Sequence, residues 1–428
     1  MIQRPFFNFS KPRFDYELFT KALPQLVPVP QPKFVTLLID SPLGNRDPKF
    51  IKVGDSVKTG QRLLLAENDT AAAVSTVTGK IDAFSEFAGN YGKMFTAITI
   101  AVSGSEETDD QFAQLGGDLS MADLSAFLST APGRPPFELL MDPEKTIETI
   151  VIYGGDTDVL IGTNQYALKT RTGELQKGIS ALKKASGIEN VILAVPGESF
   201  QSYDAHFNAD VRNVPAEYPY AGSQMILHHL LQKPAADGKA PEDHGVCFMR
   251  AEAVISIGRA VADKRIPLEK LVTIVAKNGE QKIVSAKIGT LMGDVLNAVN
   301  ITVDDGDRII LGGPMTGFAI YTETHPIEPD TDAIMIQDAS DISFSSDYPC
   351  INCGDCIRIC PANISVNMLV RFLEAGQYDD AVNLYDLYSC VDCGLCSYVC
   401  VSRIPILQYI KLAKHELSRI SEAEETNV

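Results

Sequence analysis

Eight of the nine cysteines of this 428-residue chain stand in two short runs near its C-terminal end. Cys350, Cys353, Cys356 and Cys360 are spaced CxxCxxCxxxC, with Pro361 behind them. Cys390, Cys393, Cys396 and Cys400 repeat the spacing, with Val401 in the proline's place. Three thiolates on one tight loop can cap a face of an iron–sulfur cube, and the fourth must arrive from elsewhere. This is the [4Fe–4S] spacing of two-cluster ferredoxins, in which each run lends its last cysteine to the other cluster. The expected ligand sets are Cys350, Cys353, Cys356 and Cys400 for one cluster, and Cys390, Cys393, Cys396 and Cys360 for the other. Disulfides and zinc are the competing readings. A chain of this size needs no disulfide staples, and zinc usually takes paired CxxC motifs. Proline shapes the chain leaving a cluster, so Val401 changes a turn and removes no ligand.

Two clusters that share ligands are close neighbours, and neighbouring redox centres form a relay with a donor and an acceptor. The elements that position them read as helices. Between the runs, Met368, Leu369, Phe372 and Leu373 recur at helical spacing, and "EAG" stops that helix before a second one. "IPILQYIKLAKHELSRI" continues as a helix after the second run. Residues 346–428 are therefore expected to form a helical two-cluster domain. Cys247 stands alone among apolar residues and reads as a buried structural thiol. The six histidines make no ligand-spaced pattern.

The net charge of −18 argues against a nucleic-acid partner, whose phosphates need a basic surface. The first residues, "MIQRPFFNFSKPRF", contain no apolar signal region, and no run of 18 apolar residues occurs. The expectation is a protein that does not span a membrane but can sit on a membrane complex.

The rest of the chain reads as a multidomain α/β plus α protein. An N-terminal arm, 1–32, precedes a β sandwich-barrel hybrid domain at 33–103 with turns at Gly54–Asp55 and Thr59–Gly60. That domain looks like a biotinyl or lipoyl carrier, but its exposed turn, "ENDTAAA", has no lysine to carry an arm. A linker with a short helix, 104–145, leads to an α/β Rossmann-like domain at 146–266, where strand, helix and strand alternate. Its Gly154–Gly155 turn is not a GxGxxG fingerprint, and reads as either a plain turn or a phosphate cradle. Residues 267–322 read as a β-grasp, soluble-ligand-binding module with a hairpin at Asn278–Gly279 and a helix near Leu291–Val299. The loop "GGPMTG", with Gly312, Gly313 and Gly317, either lines a cofactor site or docks the module. A second linker covers 323–345.

In this order the parts resemble the C subunits of Rnf-type electron-transport complexes over nearly the whole chain. The resemblance is carried by "KVGDSVKTGQ", "YPYAGSQMILHHLL", "GVCFMRAEAVISIGRAV", "GGPMTG" and the two cysteine runs. It implies two [4Fe–4S] clusters, FMN and NAD(H) as cofactors, membrane-embedded subunits as partners, and a peripheral place on the cytoplasmic face of the cell membrane. A redox protein or NAD(H) would be the electron partner. It also aligns "YGGDTDVLIG" with the family's acidic turn, which makes Asp156 and Asp158 cofactor-binding candidates beside Gly154 and Gly155.

Three features depart from the family. "LSTAPGRPPFELL" stands where a glycine-rich flavin loop is expected, Asp156 and Asp158 replace glutamates, and Ser223–Gln224 replaces an acid–lysine pair. Prolines 135 and 136 remove two backbone donors from the place where a phosphate would need them. In this region the chain resembles the flavin-free A subunit of the sodium-translocating NADH:quinone reductase, which lacks the cysteine runs. The expected function is a peripheral electron-transfer subunit that relays electrons through two clusters without holding FMN in the family's manner. The alternatives are a full FMN-dependent NADH dehydrogenase subunit and a docking module that relays electrons between soluble partners.

Overall fold

A computed structural model describes residues 12–426 apart from 17, 20–22, 42–49, 66–71, 117–118, 198–206, 234–238 and 347, with side chains as far as residue 421. Most of the lysine-free turn of the barrel lies outside the described residues.

The α/β domain is built on an all-parallel sheet in the order Asp210–Val214, Asn190–Pro196, Thr149–Tyr153, Val246–Arg250. "TIVIY" is buried at every position because helices or loops cover both faces, as parallel sheets require. The helix Ala251–Asp263 packs beside the amphipathic helix Thr172–Ser186. The segment expected as a linker at 104–145 belongs to this domain. Its helix Met121–Leu128 starts at a capping box, where Ser120 Oγ accepts from Asp123 N at 3.2 Å and Asp123 Oδ2 accepts from Ser120 N at 3.0 Å. Phe112, Leu124, Leu128 and Phe137 share one core with Ile150, Leu168 and Leu175.

The β-grasp sheet also gathers more chain than its sequence boundaries suggest. Its order is Leu26–Pro28, Gln281–Lys287, Glu269–Val275, Ala333–Gln337, Arg308–Leu311, Phe318–Ile320. The hairpin turns at Gly279, whose φ is +80°, and the helix Met292–Ala298 packs on the sheet. Ala333–Gln337 lies within the segment expected as a linker. It is only five residues long and is flanked by aspartates, so it reads as loop, yet it fills the gap between Glu269–Val275 and Arg308–Leu311. Leu26–Pro28, from the arm, adds an edge strand.

The barrel domain pairs Phe34–Ile39, Met94–Val102, Gly79–Ala88 and Ser56–Val57 antiparallel around Val35, Leu37, Ile81, Ile98 and Ile100. The cysteine-bearing domain is helical: Asp355–Ile359, Val366–Glu374, Tyr378–Tyr385, Leu395–Val399 and Ile406–Thr426. Ala375 and Gly376 end the second of these, where "EAG" was expected to stop it.

Candidate iron–sulfur relay site

The two cysteine runs fold as a repeat. Gly354 and Gly394 open the short helices Asp355–Ile359 and Leu395–Val399 with φ of 78° and 72°. Asn352 and Asp392 both take left-handed backbone, at φ 59° and 53°. Cys360 and Cys400 end the helices in extended conformation, and the chain then turns at Asn363 and Arg403, at φ 56° and 55°. The turn is the same behind Pro361 and Val401: Asn363 N donates to Cys360 O at 3.3 Å, and Arg403 N to Cys400 O at 3.1 Å. Valine therefore keeps the turn that proline shapes in the first run.

The two short helices pack on each other, and this brings Cys360 beside the second run. Cys360, Cys390, Cys393 and Cys396 line one cavity, walled by Leu369, Leu407 and Ile410. Four thiols around an apolar hollow fit a cubane. Among the described residues no three His, Cys, Asp or Glu side chains gather closely enough to share a single ion. A cube asks for less convergence, since each thiolate binds its own iron. Burial pushes the Cys390 thiol up to about 12 and the Cys393 thiol up to about 11, with Cys360 adding to the rise at Cys393. Such thiols ionise when iron supplies the compensating charge.

The second set is more open. Cys350, Cys353 and Cys356 share one loop, and burial followed by the neighbouring Cys353 and Cys350 pushes Cys356 up to about 11. The chain around Cys400 is tied to this loop, since Ser346 N donates to Arg403 O at 3.0 Å and Ser402 Oγ to Pro349 O at 3.5 Å. Cys353 is exposed. Phe344, Tyr348, Ile351 and Val401 are exposed apolar side chains on the same two segments.

The Cys390 set faces inward. Cys393, Leu395, Val399 and Ile359 share an apolar core with Tyr153, Ile192, Tyr218 and Ile226 of the α/β domain. Tyr218 Oη donates to Cys393 O at 2.5 Å, and burial keeps that phenol protonated. We call this set the inner site and the Cys350 set the outer site.

The remaining candidates form the joint between domains. Asp158 accepts from Thr316 N at 2.8 Å, Thr316 Oγ1 at 2.7 Å and Met315 N at 3.2 Å. A side chain at Gly313 would collide with the Asp158 carboxyl carbon, and one at Gly394 would meet Met315 O at 2.5 Å. Lys411 Nζ donates to Thr316 O at 2.9 Å. The "GGPMTG" loop is thus wedged between the acidic turn and the inner cysteine run, with Gly312 N bonded to Ala333 O and Gly317 N to Gly313 O. Asp156 turns elsewhere. It accepts from Asn164 N at 2.8 Å and Gln165 N at 3.3 Å, at the first turn of the helix Thr163–Thr170, and burial pushes its carboxyl up to about 6. Gly154 N bonds Ala194 O, and Gly154 and Gly155 pack against Leu168, Val195 and Tyr153. Cys247 is fully buried, and burial pushes its thiol up to about 12.

From Ala131 to Phe137 the loop in the flavin position has no free backbone donor. Ala131 N bonds Leu128 O, Gly133 N bonds Pro329 O at 2.7 Å, Arg134 N bonds Ala131 O and Phe137 N bonds Pro135 O. The intervening residues Pro132, Pro135 and Pro136 carry no N–H. A side chain at Gly133 would collide with the backbone of Ala253, so the loop already covers the first turn of the helix Ala251–Asp263. Arg134 pairs with Asp330 at 3.3 Å. These residues do not fit a backbone cradle for a flavin phosphate.

Sequence reasoning missed a buried charge group nearby. Lys270, fully buried, donates to Glu252 and, at 3.1 Å, to Asp332 Oδ1, while Arg250 Nε donates to Asp332 Oδ2 at 2.9 Å. A lysine inside the strand "EKLVTIV" and a glutamate inside the apolar run "AEAVISIG" were the available signals.

Residues 349–404 match the family model described as a 4Fe-4S dicluster domain. The chain is 26% identical to the C subunit of a proton-translocating ferredoxin:NAD(+) oxidoreductase complex from Clostridium ljungdahlii, over 96% of this chain and 93% of that protein. It is 26% identical to the C subunit of an ion-translocating oxidoreductase complex from Edwardsiella ictaluri over 92% of this chain, and spans 52% of that protein's length. The protein of the same description from Rhodobacter capsulatus is 24% identical over 91% of this chain and 79% of its own. Among solved structures, an NAD+-reducing [NiFe]-hydrogenase chain aligns with a TM-score of 0.46 at 11% identity, covering 71% of this chain and 64% of that one, a likeness too slight to bear on function. Over more than nine-tenths of its length the chain is similar to C subunits of ion-translocating oxidoreductase complexes.

Proposed function

We propose that this chain is a peripheral electron-transfer subunit of an Rnf-type membrane redox complex, relaying electrons through two [4Fe–4S] clusters. The observation that carries this reading is the folded repeat, in which Cys360 of the first run lines the cavity of Cys390, Cys393 and Cys396. A bound cluster supplies a one-electron centre. The chain's own residues hold two of them side by side, bury the inner one against the α/β domain, and leave the outer one open at Cys353. The exposed Phe344, Tyr348, Ile351 and Val401 make the outer end the side that meets an electron partner. Among the described residues no helix is long and apolar enough to cross a membrane, so membrane-embedded partner subunits would hold the protein at the cytoplasmic face.

The α/β domain in this reading is a platform for the inner cluster and holds no FMN in the family's manner. The support is the closed loop Ala131–Phe137, in which every backbone N–H is bonded or absent, and the use of Asp158 as an anchor for "GGPMTG". The second reading, an FMN-dependent NADH dehydrogenase subunit, draws on the ferredoxin:NAD(+) oxidoreductase complex of the Clostridium relative. Anaerobic purification separates them. The relay predicts about eight irons and eight sulfides per chain, no stoichiometric flavin, and no rapid bleaching of the clusters by NADH alone. One FMN per chain with fast NADH reduction would restore the dehydrogenase.

A further inference from the structure

The inner site carries a pair of charges, one of which reaches it from the long C-terminal helix. Lys414, on the helix Ile406–Thr426, donates to the carbonyl of Cys390 at 2.8 Å and to Asp392 Oδ2 at 2.8 Å. Both acceptors lie on the loop that supplies the inner cysteines. The lysine side chain is 21% exposed, so its charge is only partly screened by water. Asp392 Oδ1 is buried and has no hydrogen-bond partner.

The repeat supplies an internal comparison. Asn352 takes the place of Asp392 in the outer loop, with the same left-handed backbone, and its Oδ1 accepts from Asn367 Nδ2 at 2.7 Å. Glu374, the last residue of the helix Val366–Glu374, takes the place of Lys414 and is exposed. The outer loop carries its own pair at other positions: Arg358 donates to Cys353 O at 3.2 Å and pairs with Asp355, so the two halves place their charges differently.

We infer that Lys414 is a positioning residue that raises the reduction potential of the inner cluster by offsetting Asp392. The inference rests on the two-cluster reading. Reduction adds one negative charge to a cluster. An ammonium held against a ligand's own carbonyl favours that reduced state, and a carboxylate in the same loop opposes it. The relay thus has a means of setting the inner step without changing a ligand.

The test is an anaerobic reductive titration of the full-length chain followed by electron paramagnetic resonance, with Lys414→Met, Lys414→Arg and Asp392→Asn. Asparagine already holds the matching backbone at position 352, so the last variant keeps the loop. One of the two midpoint potentials should fall in Lys414→Met, stay near the parent value in Lys414→Arg and rise in Asp392→Asn, while the other stays in place. If Lys414 only braces the loop, Lys414→Met and Asp392→Asn will shift the potential in the same direction or lose the cluster. That result, or any pattern other than opposite shifts of one potential, overturns the inference. A parent protein without cubane signals would instead sink the two-cluster reading itself.

Discussion

The phenol of Tyr218, in the α/β domain, donates to the backbone carbonyl of Cys393, a ligand-run residue of the cluster domain, at 2.5 Å. Both residues are buried, so the bond couples the platform to the inner site where water cannot substitute for it. Tyr218→Phe should leave that carbonyl unsatisfied and cost about 1–3 kcal/mol. A lower denaturation midpoint for the loaded protein, with faster bleaching of about half of its cluster absorbance, checks this. Unchanged stability and cluster lifetime would mean the bond carries no load.

Glu328 makes stability depend on pH. Burial, then the neighbouring Asp330, pushes its carboxyl from 4.5 up to about 7, against the pull of Arg134 and Lys93; His325 lies 3.9 Å away. The folded state therefore keeps a proton that the unfolded chain gives up near pH 4.5. Its contribution is fully present below that pH and is lost as pH rises through about 7, on the order of 3 kcal/mol. Unfolding curves of Glu328→Gln between pH 4.5 and 8 should lack this slope and show a variant more stable than the parent at the upper end. A parallel slope in the variant would remove Glu328 from the account.

The group of Lys270, Glu252, Asp332 and Arg250 is fully desolvated at Lys270. Lys270→Met should leave Glu252 without its cation, while Asp332 keeps Arg250, and cost about 3–5 kcal/mol. Adding Glu252→Gln should recover part of the loss, measured as the shift in denaturant midpoint. If the double variant is no better than the single, the loss comes from packing and not from the unpaired charge.

These residues also mark where the sequence stops being readable. The cysteine runs were legible because a cubane demands a fixed spacing, and the helices between them because their apolar positions recur. The hairpin at Asn278–Gly279 announced itself through turn chemistry. Ala333–Gln337 did not, because a five-residue strand at the centre of a sheet owes its place to the strands on either side. The linker at 104–145 looked polar because its core residues, among them Phe112, Leu124, Phe127, Leu128 and Phe137, are spread among polar and proline-rich stretches. Asp158 was visible as a candidate, but nothing local says that its partners are Met315 and Thr316, far along the chain. Lys414 and Asp392 were likewise hidden, since nothing local brings a lysine of the last helix to a loop 22 residues earlier.

The central claim is that the two runs exchange their last cysteines, and Cys360→Ala tests it most directly. Iron and sulfide should fall to about half, and the surviving signal should belong to the outer cluster. Adding Cys353→Ser identifies the survivor, because Cys353 serves only the outer site. The crossed arrangement predicts that this second change alters the remaining spectrum while Cys393→Ser in the same background does not. If Cys393→Ser alters it and Cys353→Ser leaves it untouched, Cys360 belongs to its own run and the crossing is wrong.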